Sequence, residues 1–346
     1  MSVEIKSISC PNCSSKNTKR AGVQRGKLQN SQRYKCKECS KIFILQQSKN
    51  KTYPITTILK TLSLYNLGHS QTKISKLLRI SPKPSQKTIS NWINEHKHLT
   101  PYNRLRQDSI KNFQPEELIQ QYDFLHNNLN YKYQLHNYKL KILFQNTKFN
   151  NHSKFSPLRD YLNKIPTKEF PHHIFSPNPS IKHTHQRASQ SQFKVLKITQ
   201  NNKQNLANQL TNLSLNLAKT NIQRHETIQN FMITNDSTTI ATEIPIYLTK
   251  DDLIYFNSRG FNINPNEFQT PITGHIDFLQ IRNNNIHILD YKPEANKEKP
   301  VQQLTIYALA LASRTKLQLS NFKCAWFDHK NYYEFYPLHC VYKKRV

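Results

Sequence analysis

Gly274-His275-Ile276-Asp277-Phe278-Leu279 leads into Arg282-Asn283-Asn284-Asn285 and then Ile286-His287-Ile288-Leu289-Asp290-Tyr291-Lys292, which stops at Pro293. The first and third segments are β-branched and aromatic runs, and the second is a turn, so the stretch reads as strand, turn, strand. Side chains alternate along a strand, which puts Asp290 and Lys292 on one face. A short hairpin brings Asp277 beside Asp290. Two carboxylates at one point bind a hard divalent cation, and a lysine beside them can orient or deprotonate water.

Charge indicates what such a site acts on. The chain has 346 residues with 50 Lys and Arg against 21 Asp and Glu, a formal charge of +29. An excess of that size attracts polyanions, and nucleic acid is the expected partner. A cation at the acidic pair would polarise a phosphodiester and lower the pKa of a bound water.

Further candidates lie on either side. Downstream, Gln303 and Tyr307 are four residues apart in an apolar helix, hence on one face. Upstream, Glu243 sits in Thr242-Glu243-Ile244-Pro245-Ile246-Tyr247, the strand before the acidic pair. It either approaches the cation from the same sheet or pairs with an arginine at a strand edge. A long helix is expected from about Asn201, with His225 continuing the apolar face of Leu206, Leu210, Leu213 and Leu217. Taken one at a time, each residue has an ordinary structural use: a turn cap for Asp277, a core histidine for His225, a helix surface for Gln303 and Tyr307.

The ordered set resembles the RecB-like nucleases of the PD-(D/E)XK superfamily: Gly-x-x-Asp, then Asp-x-Lys about a dozen residues on, then Gln-x-x-x-Tyr. The resemblance spans roughly residues 204–340. It implies an α/β domain with a restriction-endonuclease-like mixed sheet flanked by helices. It implies Mg²⁺ or Mn²⁺ as cofactor, with Asp277, Asp290, Lys292, Gln303 and Tyr307 in the active site. The family also places a metal-binding histidine on the helix before the sheet. His225 matches it best, with Glu243 as a further candidate ligand and Glu226 as a weaker one. Iron–sulfur members carry four cysteines around this core, whereas only Cys324 and Cys340 are near it here, so no cluster is expected.

At the other end, Cys10-Pro-Asn-Cys13 and Cys36-Lys-Glu-Cys39 are two Cys-x-x-Cys pairs. Two such turns facing each other make a closed tetrahedral site, so Cys10, Cys13, Cys36 and Cys39 are expected to hold a structural Zn²⁺. Gln32 to Cys39 followed by Lys41-Ile42-Phe43 resembles the zinc ribbon at the amino end of insertion-sequence transposases. That resemblance implies DNA contact, with Lys16, Lys19, Arg20, Arg25 and Lys27 near phosphates. Next, Ile55, Ile58, Leu59 and Leu62 give a helix, and Ser70 caps a second with Ile74, Leu77 and Leu78 inward. After the break at Ser81-Pro82-Lys83-Pro84-Ser85, a third helix turns Ile89, Trp92 and Ile93 inward. It offers Lys87, Ser90, Asn91, Asn94 and Lys97 outward, which can reach bases or phosphates. This pattern resembles the all-α helix-turn-helix of transposases and regulators.

Hydrophobic residues make up 36% of the chain, which favours several small cores over one large one. No apolar run reaches the length of a membrane span, and the start lacks the apolar core of a signal peptide. A cytoplasmic, membrane-free protein is expected. The expected divisions are a zinc ribbon over 1–46, the helix-turn-helix over 53–98, a helical connector and irregular loop over 99–200, and the nuclease-like domain over 201–346. The competing reading is a transposase-derived DNA-binding regulator whose nuclease-like domain is inactive.

Overall fold

The computed structural model describes residues 8–25, 30–44, 53–144, 153–176, 186–196, 201–218, 220 and 223–342. They fall into two compact units, Met1–Tyr65 with Ser70–His96, and Asn66–His69 with Lys97–Val346. Lys27, one of the basic residues expected near phosphates, lies outside the described residues.

In the first unit, β1 (Thr18–Arg25), β2 (Asn30–Cys36) and β3 (Ile42–Ile44) form an antiparallel sheet with β2 in the middle. Its strands are largely exposed, while Cys10 and Cys36 are buried. A segment this small cannot bury enough apolar surface to order itself without a cross-link or a metal. Three helices follow: α1 (Ile55–Asn66), α2 (Gln71–Leu77) and α3 (Gln86–His96). The Ser70 hydroxyl accepts the Lys73 amide at 3.2 Å, and Ser85 does the same for Thr88 at 3.2 Å, so each later helix begins at a serine cap. Ile58, Leu59, Leu62, Ile74, Leu78, Ile89, Trp92 and Ile93 are buried as the periodicity predicts. Leu77 is not: it is 44% exposed, because the inward stripe of this two-turn helix runs through Ile74 and Leu78. Lys87, Asn91 and Asn94 are exposed on α3 and Ser90 is half-buried. Lys97 falls in the 3₁₀ turn Lys97–Leu99 rather than on the helix.

The second unit is built on a mixed sheet, nine-stranded among the described residues. The strands are β4 (Ile119–His126), β5 (Leu129–His136), β6 (Gln186–Arg187), β7 (Asn201–Asn202), β8 (Thr239–Leu248), β9 (Ile272–Arg282), β10 (Asn285–Tyr291), β11 (Phe322–Phe327) and β12 (Tyr332–Phe335). Their order is β4-β5-β8-β9-β10-β11-β12-β7, with β6 pairing onto β9. β9 is buried along almost its whole length, as expected of a strand covered on both faces. β10 and β11 are parallel, so the chain must cross over between them, and α10 (Val301–Thr315) makes that crossing. α10 is itself almost wholly buried against β8, β10 and β11. The other helices are α4 (Arg106–Asn112), α5 (Asn137–Phe144), α6 (Ser156–Lys164), α7 (Leu206–Ser214), α8 (Arg224–Asn235), α9 (Lys250–Ser258) and α11 (Pro337–Val341).

Two expectations are corrected here. The stretch 99–200 is not a helical connector: its β4–β5 hairpin joins the sheet through β5 and β8, and Tyr133 and Leu135 enter the main core. The hairpin closes on Asn127-Asn128, with φ of 48° and 63°, and β9–β10 closes on Asn283-Asn284 in the same way, with 49° and 60°. Two consecutive left-handed residues match the twist of the flanking strands, and asparagine tolerates that conformation. Nor does one long helix run on from Asn201, since α7 stops at Ser214. There Ser214 Oγ donates to the Thr211 carbonyl at 2.9 Å, and Asn216 Nδ2 donates to Asn212 and Leu213 carbonyls at 3.1 and 3.0 Å. Side chains that take up helix carbonyls in this way end helices. His225 therefore belongs to a separate helix, in the first turn of α8.

Lys139 on α5 is fully buried and donates to the carbonyls of Ile233 at 2.6 Å and Thr239 at 2.8 Å, tying α5 to the end of α8 and the start of β8. Burial lowers its ammonium pKa from the usual 10.5 to about 7, against the opposing charge of Asp236. Between those values the unfolded chain holds a proton that the folded one has released, so this group makes stability rise with pH across that window. Comparing denaturant unfolding of the wild type and Lys139→Met from pH 7 to 10 isolates the effect. The wild type should gain on the order of 1 kcal/mol per pH unit relative to the variant. Parallel profiles would contradict it.

Candidate active site

The sheet register places the acidic residues. β8 and β9 pair Thr242 with Phe278 and Ile244 with Ile276, so Glu243 stands opposite Asp277. Glu243 has φ +51°, a left-handed backbone inside a strand, which costs about 1–2 kcal/mol for a residue with a Cβ. The neighbouring pairs on both sides hold it there. Its side chain accepts from Gln229 Nε2 at 2.6 Å and lies 3.8 Å from His225 Nδ1.

His225 joins α8 to the sheet. Its Nε2 is 2.9 Å from Asp277 Oδ2, and the same oxygen accepts the Tyr291 amide at 2.9 Å. Gln229, one turn further along α8, shares the His225 face. The ligating atoms of His225, Glu243 and Asp277 all lie within 4.8 Å of one another, so these three residues can hold a metal ion. Asp290 lies outside that trio, with its Oδ2 3.0 Å from Lys292 Nζ. It nevertheless lines the same pocket, of about 300 Å³, along with Lys292, Gln303 and Tyr307. Gln303 Nε2 donates to the Tyr307 hydroxyl at 2.8 Å. The sequence candidates on β8, β9, β10, α8 and α10 are thus brought together. Glu226 is not among them, because it is turned toward Lys132.

Charge crowding sets the protonation. Burial pulls the His225 imidazole down, but Asp277, Glu243 and Asp290 together raise it to about 9. Burial, and then the charge of Asp277, push both Glu243 and Asp290 up to about 7. Asp277 goes the other way: burial would raise it, and His225, the Tyr291 amide and Lys292 hold it below the usual range. One carboxylate thus keeps its charge at the expense of two neighbours.

Sequence reasoning missed several residues of this pocket. His275 is two residues before Asp277 on the same strand, hence on the same face, and strand alternation alone would have found it. Its Nε2 is 2.9 Å from His126 Nδ1, and its ring stacks on Tyr131 with centroids 3.9 Å apart and planes at 9°. Tyr131 and His126 come from the hairpin in the stretch read as a connector, and no local motif marks them. Gly274 has a steric role: a Cβ there would lie 2.6 Å from Tyr307 Cε1.

A second cluster sits beside the three-stranded sheet of the first unit. Cys10, Cys13, Cys36 and Cys39 bring their sulfurs within 4.8 Å of one another, with Cys10–Cys39 at 3.5 Å and Cys13–Cys36 at 3.6 Å. Each knuckle turns through a left-handed serine just after its second cysteine, Ser14 with φ 57° and Ser40 with φ 56°.

Residues 183–333, from β6 into β12, match the family model described as the PD-(D/E)XK nuclease superfamily. No curated protein and no solved structure matches the chain.

Gly274→Ala should force Tyr307 off the sheet and cost roughly 1–3 kcal/mol, as overpacking does. In a Tyr307→Ala background the clash partner is gone, and the same alanine should cost less than about 0.5 kcal/mol. Chemical denaturation of the four proteins tests the pair, and equal costs in both backgrounds would rule out the contact.

Proposed function

We propose that this protein is a metal-dependent deoxyribonuclease, RecB-like in its active site, that a zinc ribbon and a helix-turn-helix bring to DNA. The observation that carries the reading is the convergence of His225, Glu243 and Asp277 beside the Asp290–Lys292 pair, inside the segment that matches a nuclease superfamily. One imidazole and three carboxylates suit Mg²⁺ or Mn²⁺, and the imidazole favours Mn²⁺. When bound, such a cation polarises a phosphodiester and makes hydroxide available near neutral pH.

The protein's own groups have separate tasks in this reading. His225, Glu243, Asp277 and Asp290 are the ligand set. Lys292, 3.0 Å from Asp290, orients the attacking water and offsets the charge that develops on the phosphate. Gln303 and Tyr307, joined to each other, position the strand. The four ribbon cysteines hold a structural Zn²⁺ with no open coordination position. Lys87, Ser90, Asn91, Asn94 and Lys97 contact DNA. Among the described residues no helix is long and apolar enough to cross a membrane, and the reading places the protein in the cytoplasm.

The decisive experiment is cleavage of plasmid, linear duplex and single-stranded DNA with Mg²⁺, Mn²⁺ or EDTA. Asp277→Ala and Asp290→Ala should each abolish cleavage and leave DNA binding intact or slightly tighter, since a carboxylate that repels phosphate has gone. Lys292→Ala should also stop cleavage while metal binding persists. His225→Ala should act more mildly and alter the metal preference. Cleavage by Asp290→Ala at the wild-type rate would remove the activity from this site, and DNA binding without cleavage by the wild type would favour an inactive, regulatory domain.

The targeting region has its own readouts. Elemental analysis should find one zinc per chain, lost when Cys10 and Cys39 are replaced by serine. Changing Lys87, Asn91 and Asn94 to alanine should weaken DNA binding with the zinc retained, and the affinity of the wild type should fall steeply with salt. Unchanged affinity in the triple variant would take α3 out of the DNA contact.

A further inference from the structure

We propose that Arg187, anchored on Tyr131, is a phosphate-binding subsite that holds the substrate backbone beside the acidic pocket. It rests on the nuclease reading and names the contact by which a polyanion is kept in a pocket lined with carboxylates.

Placement comes from the sheet. β6 is only Gln186–Arg187, and it pairs in parallel with β9 so that Arg187 lies beside Thr273, next to Gly274 and four residues from Asp277. The side chain lines the same pocket as Asp277, Asp290 and Lys292. Arg187 Nη2 donates to the Tyr131 hydroxyl at 3.3 Å. Tyr131 is fixed in turn by its stack on His275, His275 by His126, and His126 by Thr273 Oγ1 at 3.1 Å. Pairing with β9 therefore fixes the Arg187 backbone, and the Tyr131 hydroxyl on the β4–β5 hairpin aligns its guanidinium.

Charge separates Arg187 from the other cations of the pocket. Lys292 is tied to Asp290, and His225 lies between Asp277 and Glu243. No carboxylate pairs with Arg187 among the described residues; the acids of the pocket are taken by Lys292, His225 and Gln229. A guanidinium carries five N–H donors in a planar fork that fits a phosphate in bidentate fashion. Here one bond to a neutral hydroxyl aligns the fork and leaves donors and the full positive charge for a ligand. A phosphodiester approaching Glu243, Asp277 and Asp290 meets repulsion, and Arg187 supplies attraction at the rim without neutralising the metal-binding carboxylates.

The test is a charge-removal cycle on the full-length protein. A short duplex that the wild type cuts is made with single methylphosphonates at successive backbone positions, each replacing one charged phosphate by a neutral one. Single-turnover cleavage is followed for wild type, Arg187→Ala and Arg187→Lys, with melting temperature as the control for folding. Arg187→Ala should slow cleavage roughly 10- to 100-fold, the size of a lost charge-assisted contact, and Arg187→Lys should lose less. At one phosphate position the neutral substitution should slow the wild type and add nothing to the loss in Arg187→Ala. Unchanged kinetics in Arg187→Ala, or losses that multiply at every position, would overturn the proposal. If the wild type cuts nothing, the nuclease reading fails by itself. The same scan read as DNA binding by fluorescence anisotropy then decides the subsite separately, with one non-multiplying position for it and none against it.

Discussion

Glu243, Asp277 and Asp290 share one small pocket, and carboxylates that close together, out of bulk water, repel one another strongly. The protein counters this with groups drawn from different elements: the His225 imidazole and the Gln229 amide on α8, the Tyr291 backbone amide at the end of β10, and the Lys292 ammonium just past it. The register of β8 against β9, the angle of α8 over the sheet and the end point of β10 must all be right together. A one-residue slip of β8 would send Glu243 to the opposite face. The crossing helix α10, buried on nearly all sides, braces β8, β10 and β11 in this arrangement.

Where chemistry and local pattern coincide, the site is legible in the sequence. Asp277, Asp290 and Lys292 fall on adjacent strands joined by a turn, and alternation with hairpin closure is enough to bring them together. Gln303 and Tyr307 follow from helical spacing. His225 matches a family motif, but the helix that carries it is hidden, because leucines at helical spacing run up to Leu217 while Ser214 and Asn216 end α7 through hydrogen bonds that hydrophobic periodicity does not register. The β4–β5 hairpin was harder still. Its Asn127-Asn128 turn has the same chemistry as Asn283-Asn284, but asparagine is so common in this chain that the pair does not mark a turn by itself. Tyr131, His126 and Arg187 reach the pocket from far away in sequence, and only the sheet order reveals them.

The amino-terminal unit follows a different logic. Its three short strands are largely exposed, and beside them Cys10 and Cys36 are buried within the four-sulfur cluster. The helices after it have a hydrophobic core, centred on Ile58, Leu59, Ile74, Ile89 and Ile93, with serine caps at Ser70 and Ser85. Burial and capping both follow from residue spacing, and for that reason α1 to α3 are legible almost to their ends.

The hairpin at the margin of the sheet bears on how the chain can be divided. The superfamily match begins at residue 183, whereas β4 and β5 lie well before it and pair onto β8. A fragment starting near residue 200 would keep every carboxylate of the pocket and lose the strand that covers β8. Exposed strand edges pair with whatever strand they meet, so such a fragment would be prone to self-association whatever became of its chemistry. The folding unit is therefore longer than the segment that the superfamily match covers: a cut that keeps the sheet whole has to fall before the hairpin, not at residue 183.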